Sequence, residues 1–222
     1  MRSNVAIDGP AGAGKSTVAR RVAEELGYLY VDTGAMYRAL TWKALQQGID
    51  LADEQALTDL AAAIRVEFQR ISPEKIAVLC DGYNVTREIR SREVSEQVSR
   101  VAAVPGVRAR LVEKQRRMAA GGGVVMDGRD IGTHVLPEAA HKFFLTASLE
   151  ERAKRRWQEL IAQGRRISLE EVKQELAQRD RQDTEREVAP LRPAPEAVII
   201  DTTNLSPEEV TAHILNIIRQ TS

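Results

Sequence analysis

Short, nearly continuous apolar runs alternate along the chain with longer segments whose apolar residues recur at helical spacing. The runs at Asn4–Asp8, Tyr28–Asp32, Val124–Asp127, Lys142–Leu145 and Ala197–Asp201 read as strands. Three of them are apolar almost throughout, the pattern of strands covered on both faces. Strands separated by amphipathic helices imply parallel pairing through crossover helices. The expected fold is therefore α/β, with a five-stranded parallel central sheet between helical layers. Helix starts are marked chemically as well. Ser148-Leu-Glu-Glu, Ser168-Leu-Glu-Glu and Ser206-Pro-Glu-Glu each set a serine three residues before a glutamate. That is the signature of a reciprocal capping box, and Pro207 falls at a first helical position, where its missing N–H costs little.

One stretch breaks the alternation. Arg65–Gln69 and Lys75–Cys80 alternate apolar and polar residues around Ser72-Pro73, and Asp81-Gly82 separates the second run from Tyr83–Thr86. Asp-Gly between strand-like runs signals a tight hairpin, so residues 64–88 are expected to form a small antiparallel sheet inserted into the core. Helices at about 91–103 and 105–120 would lead back to it, with Gly121-Gly-Gly as a helix stop before the third core strand. Cys80 reads as a small strand hydrophobe, and Trp42 and Trp157 as helix packing residues.

Composition narrows the classes. Lys plus Arg number 32 and so do Asp plus Glu, giving a net charge of zero, which argues against a generally basic nucleic-acid binder. Cys80 is the sole cysteine, so no intramolecular disulfide can form, as suits a reducing compartment. No apolar signal segment or membrane span is evident, and the cytoplasm is the expected location. His134 and His141 have no metal-ligand or triad spacing.

Between the first strand and an amphipathic helix lies Gly9-Pro10-Ala11-Gly12-Ala13-Gly14-Lys15-Ser16-Thr17, which matches G-x-x-x-x-G-K-[ST]. Val18, Val22, Ala23 and Leu26 supply the helix with its apolar face. The glycines let backbone N–H groups turn inward around an anion, and the helix N-terminus adds partial positive charge. Lys15 would reach the β- and γ-phosphates of ATP, and the Ser16 hydroxyl would ligate Mg²⁺. A P-loop identifies a donor rather than a function. The Asp-x-x-Gly and Asn-Lys-x-Asp strings of switch GTPases are absent, which favours a kinase.

The acceptor must be read elsewhere. Asp32-Thr-Gly-Ala-Met-Tyr37-Arg38 follows the second strand, and Asp127-Gly-Arg129-Asp130-Ile-Gly-Thr133 follows the third. Ligands of open α/β sheets bind at such carboxyl ends. Asp32 and Asp127 suit either loop capping or direct ligation, and Arg38 either ligation or ordinary ion pairing. Arg179-Asp-Arg181-Gln-Asp183-Thr-Glu-Arg186 lies near the C-terminus. Together with the P-loop and the sheet insert, these strings resemble the bacterial cytidylate kinases, a nucleoside monophosphate kinase family, from about Asn4 to Asp201.

The resemblance implies a single P-loop kinase domain over 1–222. Its core would take about 1–60, 121–147 and 190–222, its monophosphate-binding insert about 61–120, and its helical lid about 148–189. It implies transfer of the γ-phosphoryl group of ATP to CMP or dCMP by a monomer, without nucleic acid or membrane. Thr33, Tyr37, Arg38 and Arg129 would meet the CMP phosphate; Ser99, Arg108 and Asp130 the cytosine; Arg179 and Asp183 the ribose; Arg186 a phosphate. Lys15, Arg129, Arg181 and Arg186 would carry transition-state charge, while Gln182 stands where some relatives have another arginine. The segments near Arg156 and Thr202–Asn204 are assigned to adenine.

Chemistry supports the base assignment independently. Asp130 can accept from the cytosine N4 amino group while Arg108 and Ser99 donate to N3 and O2. Uracil would present a carbonyl to that carboxylate. No general base is needed, since an acceptor phosphate is mostly ionised at neutral pH. The charge-rich 148–187 region reads as a helical hairpin whose lid function falls to Arg179, Arg181 and Arg186, pivoting about Gly164. The rivals are kinases of UMP, AMP or shikimate, a tRNA-modifying transferase, which should be longer and more basic, and a P-loop regulatory ATPase.

Overall fold

The computed structural model describes residues 2–72 and 75–220. In chain order, β1 (Val5–Asp8) leads into α1 (Lys15–Leu26), β2 (Leu29–Asp32), α2 (Thr33–Gln46) and α3 (Glu54–Ala63). Then come β3 (Val66–Ser72), β4 (Lys75–Cys80) and β5 (Tyr83–Asn84), followed by α4 (Arg92–Ala103), α5 (Pro105–Ala119) and β6 (Val124–Gly128). The chain continues with β7 (His141–Thr146), α6 (Leu149–Ala162), α7 (Leu169–Glu185), β8 (Val198–Asp201) and α8 (Pro207–Gln220).

The five expected core strands form one sheet in the order β2-β6-β1-β7-β8, every neighbouring pair parallel. Successive β1 residues face opposite sides, and each side has its own core. Val5 and Ile7 pack with Phe143, Leu145 and the inner faces of α1 and α8, whereas Ala6 joins Val31, Met126 and residues of α2, α3 and α5. Register places Asp32 beside Asp127, and Asp127 beside Ile7, at the carboxyl edge. Three acids, Asp8, Asp32 and Asp127, therefore lie at or one residue before the ends of three adjacent strands on one rim.

The antiparallel insert forms in the order β3-β4-β5. Asp81 at φ 48° and Gly82 at φ 85° give the paired left-handed residues of a tight hairpin. The third strand is shorter than its apolar pattern suggests. Val85 N still donates to Val78 O at 2.9 Å, but the Val78 N–H turns to Thr86 Oγ1, also at 2.9 Å, so a side chain takes the reciprocal ladder bond opposite Val85. Lys43 on α2 pairs with Asp81, and Arg70 with Glu24 of α1 at 2.7 Å, tying both ends of the insert to the core. The expected turn at Pro73 lies outside the described residues.

Ser168 and Ser206 each exchange both capping bonds with Glu171 and Glu209. Ser148 achieves only half of its expected box. It accepts from Glu151 N at 3.2 Å, but the Glu151 carboxylate is drawn to Arg155 at 2.9 Å, and Ser148 N turns to Thr203 Oγ1. α6 and α7 then pack as a hairpin through Ala153, Leu160, Val172 and Leu176. Gly164, φ 79°, lies at the tip of that hairpin, where Arg165 N bonds back to Leu160 O. Turning there would unpack the two helices rather than swing them over the core, so Gly164 is a helix stop and not the lid's pivot. Among the described residues, no helix is long and apolar enough to cross a membrane.

Candidate active site

A cleft of about 870 Å³ opens along the carboxyl edge between the P-loop, α2, α4, β6 and the lid. The P-loop folds as its glycines require. Gly9 adopts φ 145°, and a Cβ there would lie 2.0 Å from the Leu145 carbonyl oxygen, so only glycine allows the loop to leave β1 so close to β7. Gly14, φ 84°, begins α1 without a side-chain cap, leaving that helix end open to an anion. Lys15 is 6% exposed and donates to Pro10 O at 2.6 Å. Burial, reinforced by the charge of Arg129, pushes its ammonium down to about 7.

The acids at the strand ends divide their labour. Asp32 caps α2, accepting from Ala35 N at 2.8 Å, which makes Thr33 the first helical residue and sets Tyr37 and Arg38 one turn further along the cleft wall. Asp127 accepts from Ser16 Oγ at 2.8 Å and Tyr30 Oη at 2.9 Å, and Thr33 Oγ1 donates to its backbone carbonyl at 2.7 Å. Burial first, and then the neighbouring Asp32 charge, push the Asp127 carboxyl up to about 7. Asp8 is buried and accepts from Ile131 N and Gly132 N, both at 2.8 Å, holding the single π-turn Ile131–Val135 that follows Asp130.

Burial raises the Asp8 carboxyl from 3.8 to about 6. A carboxyl whose folded pKa is raised lends stability below its unfolded pKa and loses it as pH climbs through the folded one. Between about pH 4 and 6 the chain should lose about 3 kcal/mol of unfolding free energy on this account. Urea titrations of the wild type and Asp8→Asn across that window should show the wild type's extra slope vanish in the variant. Parallel curves would mean that Asp8 does not titrate there.

Across the cleft from the P-loop, arginines and acids satisfy one another in pairs. Arg108, 2% exposed, pairs with Asp130 and donates to Ala102 O at 3.3 Å, and its guanidinium lies 5.6 Å from the Tyr37 ring centre. Arg186 reaches the other Asp130 oxygen at 3.4 Å, and Arg129 holds Asp183 at 2.8 Å. Asp183 is kept below its ordinary pKa despite burial, chiefly by Arg129 and Arg179. Arg179 has a buried Nε with no hydrogen-bond partner among the described residues. Its guanidinium is pushed down to about 10 by burial and by Arg129. Arg38 donates to Ser95 Oγ at 3.0 Å, so it is held by a hydroxyl rather than an ordinary ion pair. Ser99 lines the same wall.

Nearly every residue singled out in the sequence thus gathers at one cleft; Gly9 and Pro10 shape the loop from behind. Arg181 does not reach it. It is exposed, because two residues along a helix turn a side chain by about 200°, away from the face that carries Arg179 and Asp183. Other contributors were not legible. Asp8 and Tyr30 sit within apolar strands, and nothing local marks them as loop holders. Arg155 donates to Thr202 O at 2.6 Å and to Thr202 Oγ1 at 3.1 Å, while Thr202 Oγ1 donates to Ala13 O at 3.2 Å. The 202–204 segment is therefore stitched both to the P-loop and to α6 at the end of the cleft assigned to adenine.

This geometry agrees with comparisons to known proteins. The cytidylate kinase family model matches residues 5–220. The chain is 57% identical over 219 residues to the cytidylate kinase of Geobacillus kaustophilus, covering 99% of this chain and 97% of that one. It is 56% identical over 221 residues to a bifunctional pantoate ligase/cytidylate kinase of Synechococcus, of whose length it spans 41%. An uncharacterized protein from Eubacterium ventriosum shares the fold, with a TM-score of 0.53 at 12% identity, covering 99% of each chain. A parallel five-stranded sheet, a P-loop and a full-length family match agree: the chain belongs to the cytidylate kinase family.

Proposed function

We propose that the chain transfers the γ-phosphoryl group of ATP to CMP and dCMP, giving ADP and CDP or dCDP. The observation that carries this reading is the meeting of Lys15, Arg129 and Arg179 across one cleft, where Arg129 pushes down the protonation of both Lys15 and Arg179, and Arg179 that of Lys15. Such mutual repulsion between buried cations is relieved when phosphates enter among them. The P-loop supplies the donor side and the Asp130–Arg108 wall the acceptor side.

The oxygen set at the rim suits Mg²⁺. Ser16 Oγ lies beside Asp127, with Asp32 close enough to act on its charge. Among the described residues no group of three or more His, Cys, Asp or Glu could hold a metal. Mg²⁺ ordinarily takes one or two protein oxygens and completes its shell with water and phosphate, so Ser16 with Asp127 fits. Bound there, the ion would add positive charge where the β- and γ-phosphates meet.

The protein's own part is alignment and charge. Arg129 and Arg186 would turn from Asp183 and Asp130, and with Arg179 would face the two phosphates, and the acceptor oxygen, already ionised, needs no base. Ser99, Arg108 and Asp130 would read the cytosine, and Asp183 the ribose hydroxyls. Thr33, Tyr37 and Arg38 would meet the acceptor phosphate. A monomer in the cytosol completes the reading. The lone, buried Cys80 supports the cytosol.

The test is ADP formation from ATP and Mg²⁺ with CMP, dCMP, UMP, AMP and GMP offered separately. CMP and dCMP should turn over at least roughly a hundredfold better than UMP by kcat/KM, since uracil sets a carbonyl against the Asp130 carboxylate. Preference for UMP or AMP would keep the kinase and overturn the base reading. Turnover indifferent to any acceptor would remove the kinase reading itself.

A further inference from the structure

Arg152, 6% exposed in the first turn of α6, is used by none of the roles above. It nevertheless joins three parts of the molecule. Its Nε donates to Ala147 O at 3.0 Å, at the end of β7, and its Nη1 to Ala11 O at 3.1 Å, in the P-loop. The same Nη1 pairs with Asp180 Oδ2 at 2.7 Å, on α7. Contact with the loop is also steric. A Cβ added to Gly12 would lie 3.0 Å from Arg152 Cβ and 3.1 Å from its carbonyl oxygen. Ala11 itself packs against the apolar cluster of the lid hairpin.

Asp180 stands beside Arg179 and three residues before Asp183, which holds Arg129. The lip of the donor loop and the helix that presents the acceptor-side charges are therefore linked through one guanidinium. The fork geometry matters. Arginine can serve a carbonyl and a carboxylate at once, which a lysine ammonium cannot do with the same fixed directions.

We propose that Arg152 is a positioning residue that couples the two nucleotide sites. It holds the Ala11 carbonyl, and with it the Gly12–Gly14 amides, in the phosphate-binding arrangement only while Asp180 is docked, that is, while α7 presents Arg179 to the cleft. Coupling of this kind is reciprocal. An acceptor that draws α7 in tightens the grip on ATP, and ATP tightens the acceptor by the same factor. This inference rests on the kinase reading of the cleft.

The test measures binding of a non-hydrolysable ATP analogue with Mg²⁺, with and without saturating CMP, in the wild type, Asp180→Asn and Arg152→Lys. Both variants keep the side chain's bulk, and thermal melts of each report folding independently. In the wild type CMP should tighten the analogue by roughly 5- to 100-fold, the usual span of coupling between sites. In either variant that factor should fall close to one, and the double variant should be no worse than either single. Binding of CMP alone should change little.

Retained coupling in both variants, with only a lower melting temperature, would overturn the proposal and leave Arg152 a structural residue. So would the absence of coupling in a wild type that phosphorylates CMP. A wild type that neither binds the analogue nor phosphorylates CMP would instead overturn the kinase reading, and this inference with it.

Discussion

Lys15→Met is expected to lower kcat by a factor on the order of 10³ while leaving the KM for CMP nearly unchanged, because it removes a charge aimed at the transferring phosphoryl group. The ammonium is buried in the P-loop and donates to Pro10 O. Burial and the nearby Arg129 and Arg179 depress its protonation, so the fold holds this charge at a cost that an anionic donor would offset. Methionine is of similar length, is apolar and adds no branch, so the loop should close around it without strain. The folded state should hold, since a buried, repelled cation has been removed, and an unchanged or higher urea midpoint would show that. Steady-state ADP formation gives the decisive reading. A kcat within tenfold of wild type would take Lys15 out of the chemistry and shift the charge role to Arg129 and Arg179.

Asp130→Ala is the second large effect, and stability and activity must be separated in it. Arg108 is 2% exposed and has its carboxylate partner in Asp130, which Arg186 shares. Breaking a buried pair by removing one partner leaves an uncompensated charge, at about 3–5 kcal/mol. The variant should therefore unfold at markedly lower urea as well as lose CMP turnover. Adding Arg108→Met should restore much of that stability, because a matched apolar pair is often as stable as a buried ion pair. It should not restore discrimination of CMP over UMP. If the single variant is as stable as wild type, the pair is not the buried interaction drawn here. If the double variant regains CMP preference, the base is read by other groups.

Particular elements show what was open to reading in the chain alone. The P-loop was legible because its chemistry is local: eight consecutive residues specify both the backbone path and the charge. The Asp81-Gly82 hairpin and the serine caps were legible for the same reason. Even there a nearby competitor changed one outcome, when Arg155 took the Glu151 carboxylate and left Ser148 with half its box. The third insert strand failed similarly, because the Thr86 hydroxyl outcompeted the ladder.

Arg179 and Arg181 mark the limit more sharply. Both belong to one charged run, and the period of the helix separates their faces without saying which one looks at the cleft. Only the packing of Val172 and Leu176 against Ala153 and Leu160 turns Arg179 inward and Arg181 to solvent. Asp8 and Arg152 are more extreme. Their partners lie more than a hundred residues away at Ile131, Gly132 and Ala11, and no local pattern records that distance.

By itself, then, the sequence determined the parallel sheet, the phosphate loop and the insert, because apolar period, glycine freedom and turn chemistry act over a few neighbouring residues. Tertiary structure decided which arginine answers which acid, that Asp32 caps α2 while Asp127 faces Ser16, and that Arg152 joins the α6–α7 hairpin to the P-loop. Those outcomes depend on burial and on charge at a few ångströms between distant segments, and such distances exist only once the sheet has brought its strand ends to a common edge.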